Sequence, residues 1–75
     1  MSNFAFATFS TWDDVLAAAN RGERLWYQAP LDVQPHFIIV DKIYKNGKLR
    51  INPLSNEVDK FTADAGHLLR FHKRA

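Results

Sequence analysis

The chain has 75 residues, no cysteine, a formal net charge of +2 and 47% hydrophobic residues. This length predicts a single domain, 1–75, and the composition is typical of a folded globule, while the lack of cysteine excludes disulfides, thiolate metal sites and thiol catalysis. No apolar run reaches the roughly 20 residues of a membrane span and the chain does not start with a secretory signal pattern, which favours a soluble cytoplasmic protein with no membrane partner.

The first predicted elements are a short strand and an amphipathic helix. Bulky and small residues alternate over residues 3–9, which is typical of an extended strand. Ser10 or Thr11 can cap a helix with acidic residues in its first turn, and apolar side chains then recur at helical spacing up to Ala19. Residues 20–22 are expected to end it, because glycine tolerates the left-handed conformation that follows many helices. A helix of about eleven residues does not persist alone in water, so it must pack on a sheet.

A second strand and a loop follow. Residues 24–28 contain Leu, Trp and Tyr in succession, which is typical of a strand with apolar groups on both faces. Which of Trp26 and Tyr27 is buried stays open. Residues 29–35 contain two prolines, which lack the amide donor of a sheet ladder, so a loop is predicted there.

The strongest local signal is a β-hairpin over residues 36–53, where Asn46-Gly47 joins two β-rich runs. Two registers are open. With a two-residue type I′ turn, Tyr44 faces Leu49. With a type I turn followed by a bulge at the glycine, Ile43 faces Leu49.

Each register leaves one charged residue on the apolar face of the hairpin. Lys42 faces Ile51 in the first register, and Asp41 faces Ile51 in the second. A further bulge near Asp41 and Lys42 would keep both Val40 and Ile43 directed inward, since a shift of one residue changes the face of every later side chain.

The last part of the chain predicts a turn, one helical turn and a strand. Residues 54–60 are polar and lead into a short extended piece that ends at Phe61. Residues 62–66 have the pattern of one helical turn, with Thr62 as the cap and Gly66 at its end. Residues 67–72 predict a final strand, and residues 73–75 are expected to fray.

Together these elements predict an α+β fold. Five to six short strands are expected to form a small, strongly bent antiparallel sheet or an SH3-like barrel, with one N-terminal helix. The helix would cover an open end of the barrel or lie across one face of the sheet.

The sequence contains no pattern of a catalytic, metal or cofactor site. None of His36, His67 and His72 has zinc-ligand spacing, and no nucleophile elbow or phosphate-binding glycine loop is present. The acidic residues of 57–64 lack the spacing of a calcium loop. The sequence therefore predicts a non-enzymatic protein with no catalytic residue, no metal and no cofactor.

A basic surface is the remaining candidate site. Residues 1–35 carry two basic and four acidic side chains, whereas residues 36–75 carry eight basic and four acidic ones. Positive charge interleaved with aromatic rings is typical of single-stranded nucleic-acid binding, although lysines on a hairpin also protect sheet edges from pairing. The candidate binding residues are Lys42, Tyr44, Lys45, Lys48 and Arg50 of the hairpin, and Arg70, Lys73 and Arg74 of the last strand.

Three segments carry a resemblance to a group of known proteins. Gly22-Glu-Arg-Leu-Trp-Tyr-Gln-Ala-Pro-Leu-Asp32, Lys45-Asn-Gly-Lys48 and Phe61-Thr-Ala-Asp-Ala-Gly-His-Leu-Leu-Arg-Phe71 resemble short uncharacterised proteins encoded by bacteriophages and prophages. The resemblance carries over no catalytic or binding residue. It implies a small accessory protein made in the bacterial cytoplasm during infection.

These observations favour an interaction module that binds a host or phage protein through the basic face of the hairpin. A small barrel that binds nucleic acid is the first alternative. A structural protein that associates through a sheet edge is the second, and the chain is expected to be a monomer or a weak homodimer.

Overall fold

A computed structural model describes residues 5–54 and 59–75. The elements in chain order are β1 (Phe6–Thr8), α1 (Trp12–Asn20), β2 (Leu25–Tyr27), β3 (His36–Ile43), β4 (Leu49–Asn52), β5 (Phe61–Ala63), a 3-10 helix (Ala65–Arg70) and β6 (Phe71–Arg74). The six strands form one antiparallel sheet in the order β1-β6-β2-β3-β4-β5.

The predicted α+β fold is confirmed in its open form. The sheet is bent, carries one α-helix among the described residues, and is not closed into a barrel, because β1 and β5 stand at opposite ends of the strand order. Of the two arrangements expected, the structure therefore has the antiparallel sheet and not the SH3-like barrel. Within the described residues, no helix combines the length and the apolar character needed to cross a membrane.

Helix α1 begins and ends where local sequence signals place its caps. Thr11 is the N-cap: its hydroxyl accepts a hydrogen bond from the Asp14 amide at 3.2 Å, and the Asp14 carboxylate accepts one from the Thr11 amide at 3.3 Å. This capping box satisfies two amides that the helix itself leaves unpaired. At the other end Gly22 has φ +72°, and the Glu23 amide donates to the Ala18 carbonyl at 3.0 Å. The left-handed glycine and this hydrogen bond are those of a Schellman motif. The helix has nine residues.

The hairpin has the register with a type I turn and two bulges. Gly47 has φ +82° and Ile43 lies opposite Leu49, so the two-residue turn is wrong. The register shifts between Val40 and Lys42, as expected for a bulge at this point. The bulge keeps the apolar side chains of β3 on one face despite the intervening charges.

The core lies between α1 and one face of the sheet. Trp12 connects three elements, since its indole N–H donates to the Gly47 carbonyl at 2.6 Å and its ring lies edge-to-face with Phe71 at 5.4 Å. Tyr27 packs on the same core, and burial raises the pKa of its phenol above the ordinary value. Among the described residues, the fully buried side chains are Val15, Ala18, Leu25, Leu49, Ile51, Ala63 and Phe71.

The predictions for residues 62–66 are wrong. Thr62 and Ala63 belong to β5, because they pair with Arg50 and Leu49 of β4. Asp64 caps the 3-10 helix, and its carboxylate accepts a hydrogen bond from the Gly66 amide at 2.9 Å. The helical turn therefore begins later than its local pattern indicated.

The predicted strand over 67–72 is also wrong in its bounds. Residues 65–70 are helical, and β6 begins at Phe71. Lys73 and Arg74 do not fray, because they pair with Ala7 and Phe6 of β1. A ladder with the distant N-terminal strand thus fixes the end of the chain.

The remaining strand predictions hold within the described residues. The strand over 24–28 is confirmed as β2, and the loop over 29–35 contains no strand. The strand over 3–9 is confirmed for Phe6–Thr8, and its first two residues lie outside the described residues. Most of the predicted turn over 54–60 also lies outside them.

Candidate functional site

The sheet presents one face away from α1, and we call it the open face. The pairing register defines its members, because cross-strand partners point to the same side of a sheet. Trp26, for example, lies opposite both Phe37 of β3 and His72 of β6. The residues of the open face are Phe6, Thr8, Trp26, Phe37, Ile39, Lys42, Arg50, Asn52, Thr62, His72 and Arg74.

Three rings form a row across the open face, and we call Phe6, Trp26 and Phe37 the aromatic row. The centroid of the Trp26 ring lies 5.5 Å from that of Phe6 and 5.8 Å from that of Phe37, and both contacts are edge-to-face. Phe37 is 38% exposed and Ile39 beside it on β3 is 39% exposed. Large apolar side chains at the surface in one contiguous group are typical of an interaction site.

Two cations lie on the open face farther along β3 and β4. Lys42 is directly opposite Arg50, and like charges in this position destabilise a sheet. The Arg50 guanidinium donates to the Thr62 hydroxyl at 3.5 Å. None of the residues that define the open face is acidic, and Asp41 of the bulge is paired with Lys60 at 2.8 Å. The hairpin end of the open face therefore has a positive charge.

The predicted hairpin residues separate into two groups. Lys42 and Arg50 lie on the open face, and the Lys42 ammonium is 5.1 Å from the centroid of the half-buried Tyr44 ring. Lys45 and Lys48 lie in and beside the turn, where the Lys48 amide donates to the Asn46 side chain. Among the described residues, no carboxylate forms an ion pair with any of the three lysines.

The predicted residues of the last strand do not form one surface with the hairpin. Arg70 lies in the 3-10 helix, and its carbonyl accepts from the Gln28 amide at 2.8 Å, at the end of β2. Lys73 points to the core side, where its ammonium lies 5.1 Å from the centroid of the Phe9 ring. Arg74 alone lies on the open face, opposite Phe6.

Sequence reasoning did not find the aromatic row. The sequence leaves open which of Trp26 and Tyr27 is buried, and no pattern in it connects Phe6 or Phe37 with Trp26. Alternation along each strand separates Trp26 from its neighbours on the core side, Leu25 and Tyr27. The join between Phe6 and Trp26 depends on β6 lying between β1 and β2, which no local signal encodes.

His72 lies on the open face in β6, between the strands that carry Phe6 and Trp26. Its ring centroid is 6.4 Å from that of Phe6, and its Nε2 is 3.3 Å from the Gln28 side-chain oxygen. Its Nδ1 is buried and has no hydrogen-bond partner among the described residues. Burial lowers the pKa of the imidazole below its ordinary value, because the charged form loses hydration.

The fold is expected to lose stability as His72 becomes protonated. The lowered pKa means that the unfolded chain takes up this proton more readily than the folded protein. The stabilisation that His72 contributes should therefore be fully present above about pH 6.5 and should decrease as the pH falls through the folded-state pKa. Urea midpoints measured between about pH 8 and 5 test this. A His72→Gln variant should show a smaller decrease, and equal decreases in both proteins would contradict the assignment.

The loop between β2 and β3 presents two aliphatic side chains to solvent. Leu31 and Val33 are each 96% exposed. The loop is nevertheless fixed by Asp32, whose amide donates to the Ala29 carbonyl at 3.0 Å and whose carboxylate accepts from the Ala29 amide at 3.2 Å. A loop that is already ordered and has exposed apolar side chains can bind a protein surface with little loss of conformational entropy.

Within 5–54 and 59–75, the structure groups no three His, Asp or Glu side chains in a way that could hold a metal ion. The shallow cleft between the end of α1 and β3 is lined by aliphatic residues such as Ala19, Leu25 and Val40, together with Phe37 and the charged residues Glu23 and Arg24. The aromatic row and its cations are therefore the best-defined candidate site.

Comparison with known proteins adds no relative. No protein-family model, no curated protein and no solved structure matches this chain.

Proposed function

We propose that this protein is a non-enzymatic nucleic-acid-binding module and that the open face is its binding surface. The observation that carries the proposal is the presence of the aromatic row and the Lys42–Arg50 pair on one face without an acidic residue among them. On the basis of the resemblance to phage and prophage proteins, we also propose that the protein acts in the cytoplasm of an infected bacterium.

The cations supply the electrostatic part of binding. Lys42 and Arg50 repel each other across the hairpin, and a bound phosphate would relieve this repulsion. Each phosphate neutralised by a cation also releases condensed counterions, which favours binding and makes it sensitive to salt. A protein ligand would need a matching pair of carboxylates to give the same gain.

The aromatic row supplies the apolar part. Nucleobases stack on aromatic side chains irrespective of base identity, since every base has a flat π face. Rings and cations on the same face therefore suit a ligand that alternates flat apolar groups with negative charges. Nucleic acid has this alternation in every nucleotide.

Binding is expected to depend steeply on salt and on the two cations at the hairpin end of the open face, Lys42 and Arg50. Fluorescence anisotropy with a labelled oligonucleotide of about 12 nucleotides, titrated at several salt concentrations, measures both effects. In the Lys42→Gln/Arg50→Gln variant the salt slope should become shallower by about 1.4, which corresponds to two phosphate contacts on a single strand, and the affinity at low salt should fall.

The matched control is Arg21→Gln/Lys73→Gln, which removes the same charge from outside the open face. Arg21 ends α1 and pairs with Glu23, and Lys73 lies on the core side. The salt dependence of binding in this control should be close to that of the wild type, with only a small change caused by the loss of two positive charges. Equal slopes and affinities in the two double variants would contradict the proposed surface, and no binding of DNA or RNA would overturn the function.

A protein partner is the second candidate, and the loop between β2 and β3 favours it. Leu31 and Val33 are exposed to solvent on a loop that the Asp32 hydrogen bonds stabilise, and they lie outside the proposed nucleic-acid surface. This site differs from the hairpin face expected from the sequence. Affinity capture from a lysate with and without nuclease distinguishes the two functions, because a direct protein partner remains bound after nuclease treatment.

A further inference from the structure

We infer that the open face binds single-stranded nucleic acid in an extended form, with bases stacked on Trp26 and Phe37. This inference rests on the proposed function and specifies its ligand. The spacing of the rings, their placement on the sheet and the position of the cations relative to them support it.

The ring spacing excludes a stacked helix as the ligand of the row. Neighbouring rings are separated by 5.5 and 5.8 Å between centroids. Successive bases in one strand of a duplex are only about 3.4 Å apart along the axis, so they cannot each meet a successive ring. An extended single strand has separated bases and can place one on the half-buried Trp26 and one on the exposed Phe37.

The shape of the surface leads to the same class of ligand. Trp26 and Phe37 lie on adjacent strands in the middle of the sheet, with Phe6 beyond β6. Bases in a duplex are covered on both flat sides by their neighbours, so they cannot stack on the rings of the open face. Unpaired bases can turn outward and stack on rings of this kind.

The cations lie at a distance that a short strand can span. Lys42 follows Phe37 by five residues along β3, which corresponds to about 15 Å at the usual rise of a strand. A nucleic-acid strand that runs from the aromatic row past Ile39 would therefore bring its next phosphates to Lys42 and Arg50. Affinity should rise with oligonucleotide length and level off near the lower end of the range of about 4–16 nucleotides known for small single-strand-binding domains.

The experiment compares three labelled probes of equal length: a single-stranded DNA, the same DNA as a duplex, and a single strand of abasic sites that keeps the phosphates. The wild type should bind the single-stranded DNA most tightly. Trp26→Ala should weaken that binding about 5- to 150-fold, the range for losing one stacked base, and should not change binding of the abasic strand. Trp26→Phe should keep most of the affinity, because a ring remains.

Tryptophan fluorescence gives a direct readout of stacking. Single-stranded DNA should quench the emission of the wild type, and Trp26→Phe should lose this quenching while still binding. Trp12 is the internal reference in both proteins, since its indole is on the core side and donates to Gly47. If Trp26→Ala does not fold, stacking is still tested by two measurements: the affinity of the wild type for the abasic strand, and the quenching of fluorescence in Trp26→Phe.

The outcomes separate this inference from the proposed function. Equal affinity for duplex, abasic and single-stranded probes, together with a persistent effect of Lys42→Gln/Arg50→Gln, would overturn stacking and leave nucleic-acid binding in place. Failure of all three probes to bind would overturn both. Preference for the single strand with loss of quenching in Trp26→Phe supports the inference.

Discussion

Phe71→Ala is expected to cost about 3–5 kcal/mol of unfolding free energy, the usual range for removal of a buried aromatic ring. Phe71 is fully buried and lies edge-to-face with Trp12 at 5.4 Å and with Tyr27 at 5.3 Å. Its loss would therefore leave a cavity between α1, β2 and β6. Because small domains often have a total stability of only about 5 kcal/mol, a large fraction of the variant should be unfolded at 25 °C.

Urea unfolding followed by circular dichroism measures this loss. Leu69→Ala is the matched control, since Leu69 is two residues away and 76% exposed, and its change should be within about 0.5 kcal/mol. A cost below about 1 kcal/mol for Phe71→Ala would contradict the position of the core, because it is far below the range for a buried ring.

Trp12→Phe is expected to destabilise the fold more than Trp26→Phe. The change at Trp12 removes the hydrogen bond from the indole to the Gly47 carbonyl, which joins α1 to the turn of the hairpin. Leaving a partly buried carbonyl without its partner costs about 1–3 kcal/mol. Trp26 packs between two rings on the open face, so its replacement by phenylalanine loses only part of an apolar contact, worth about 1 kcal/mol or less.

The two variants form an internal comparison, because the substitution is the same and both tryptophans are half-buried. Thermal and urea unfolding should rank the wild type above Trp26→Phe and Trp26→Phe above Trp12→Phe. The reverse order would show that the open face, and not the contact between α1 and the hairpin, stabilises the fold. In that case the aromatic row would be a second core.

The open face is difficult to explain by stability alone. Lys42 opposite Arg50 is unfavourable in the free protein, and the exposed Phe37 and Ile39 would be better replaced by polar residues in a surface with no partner. Features that reduce stability without a structural return are typical of functional surfaces. A polyanion with flat apolar groups would offset both costs at once.

The sequence determined the elements whose signals are local. Asn46-Gly47 fixed the hairpin, and the cap at Thr11 with the glycine at Gly22 fixed α1, because turn and cap geometry depends on a few neighbouring residues. The bulge near Asp41 also followed from the sequence, since only a shift of one residue keeps Val40 and Ile43 on the same side. Two of the cations of the candidate site, Lys42 and Arg50, were found in this way.

Only the tertiary structure decided the arrangement of the two ends of the chain. β6 lies between β1 and β2, and this placement joins Phe6 to Trp26, orders Lys73 and Arg74, and directs Lys73 away from the open face. Residues 65–70 form a 3-10 helix, and the strand that the sequence predicts over 67–72 begins only at Phe71, where β6 pairs with β2. Such long-range pairing forms when the apolar area that the whole sheet buries outweighs the entropy lost in closing long loops. Because this balance depends on the whole chain, the residues next to a strand do not predict it.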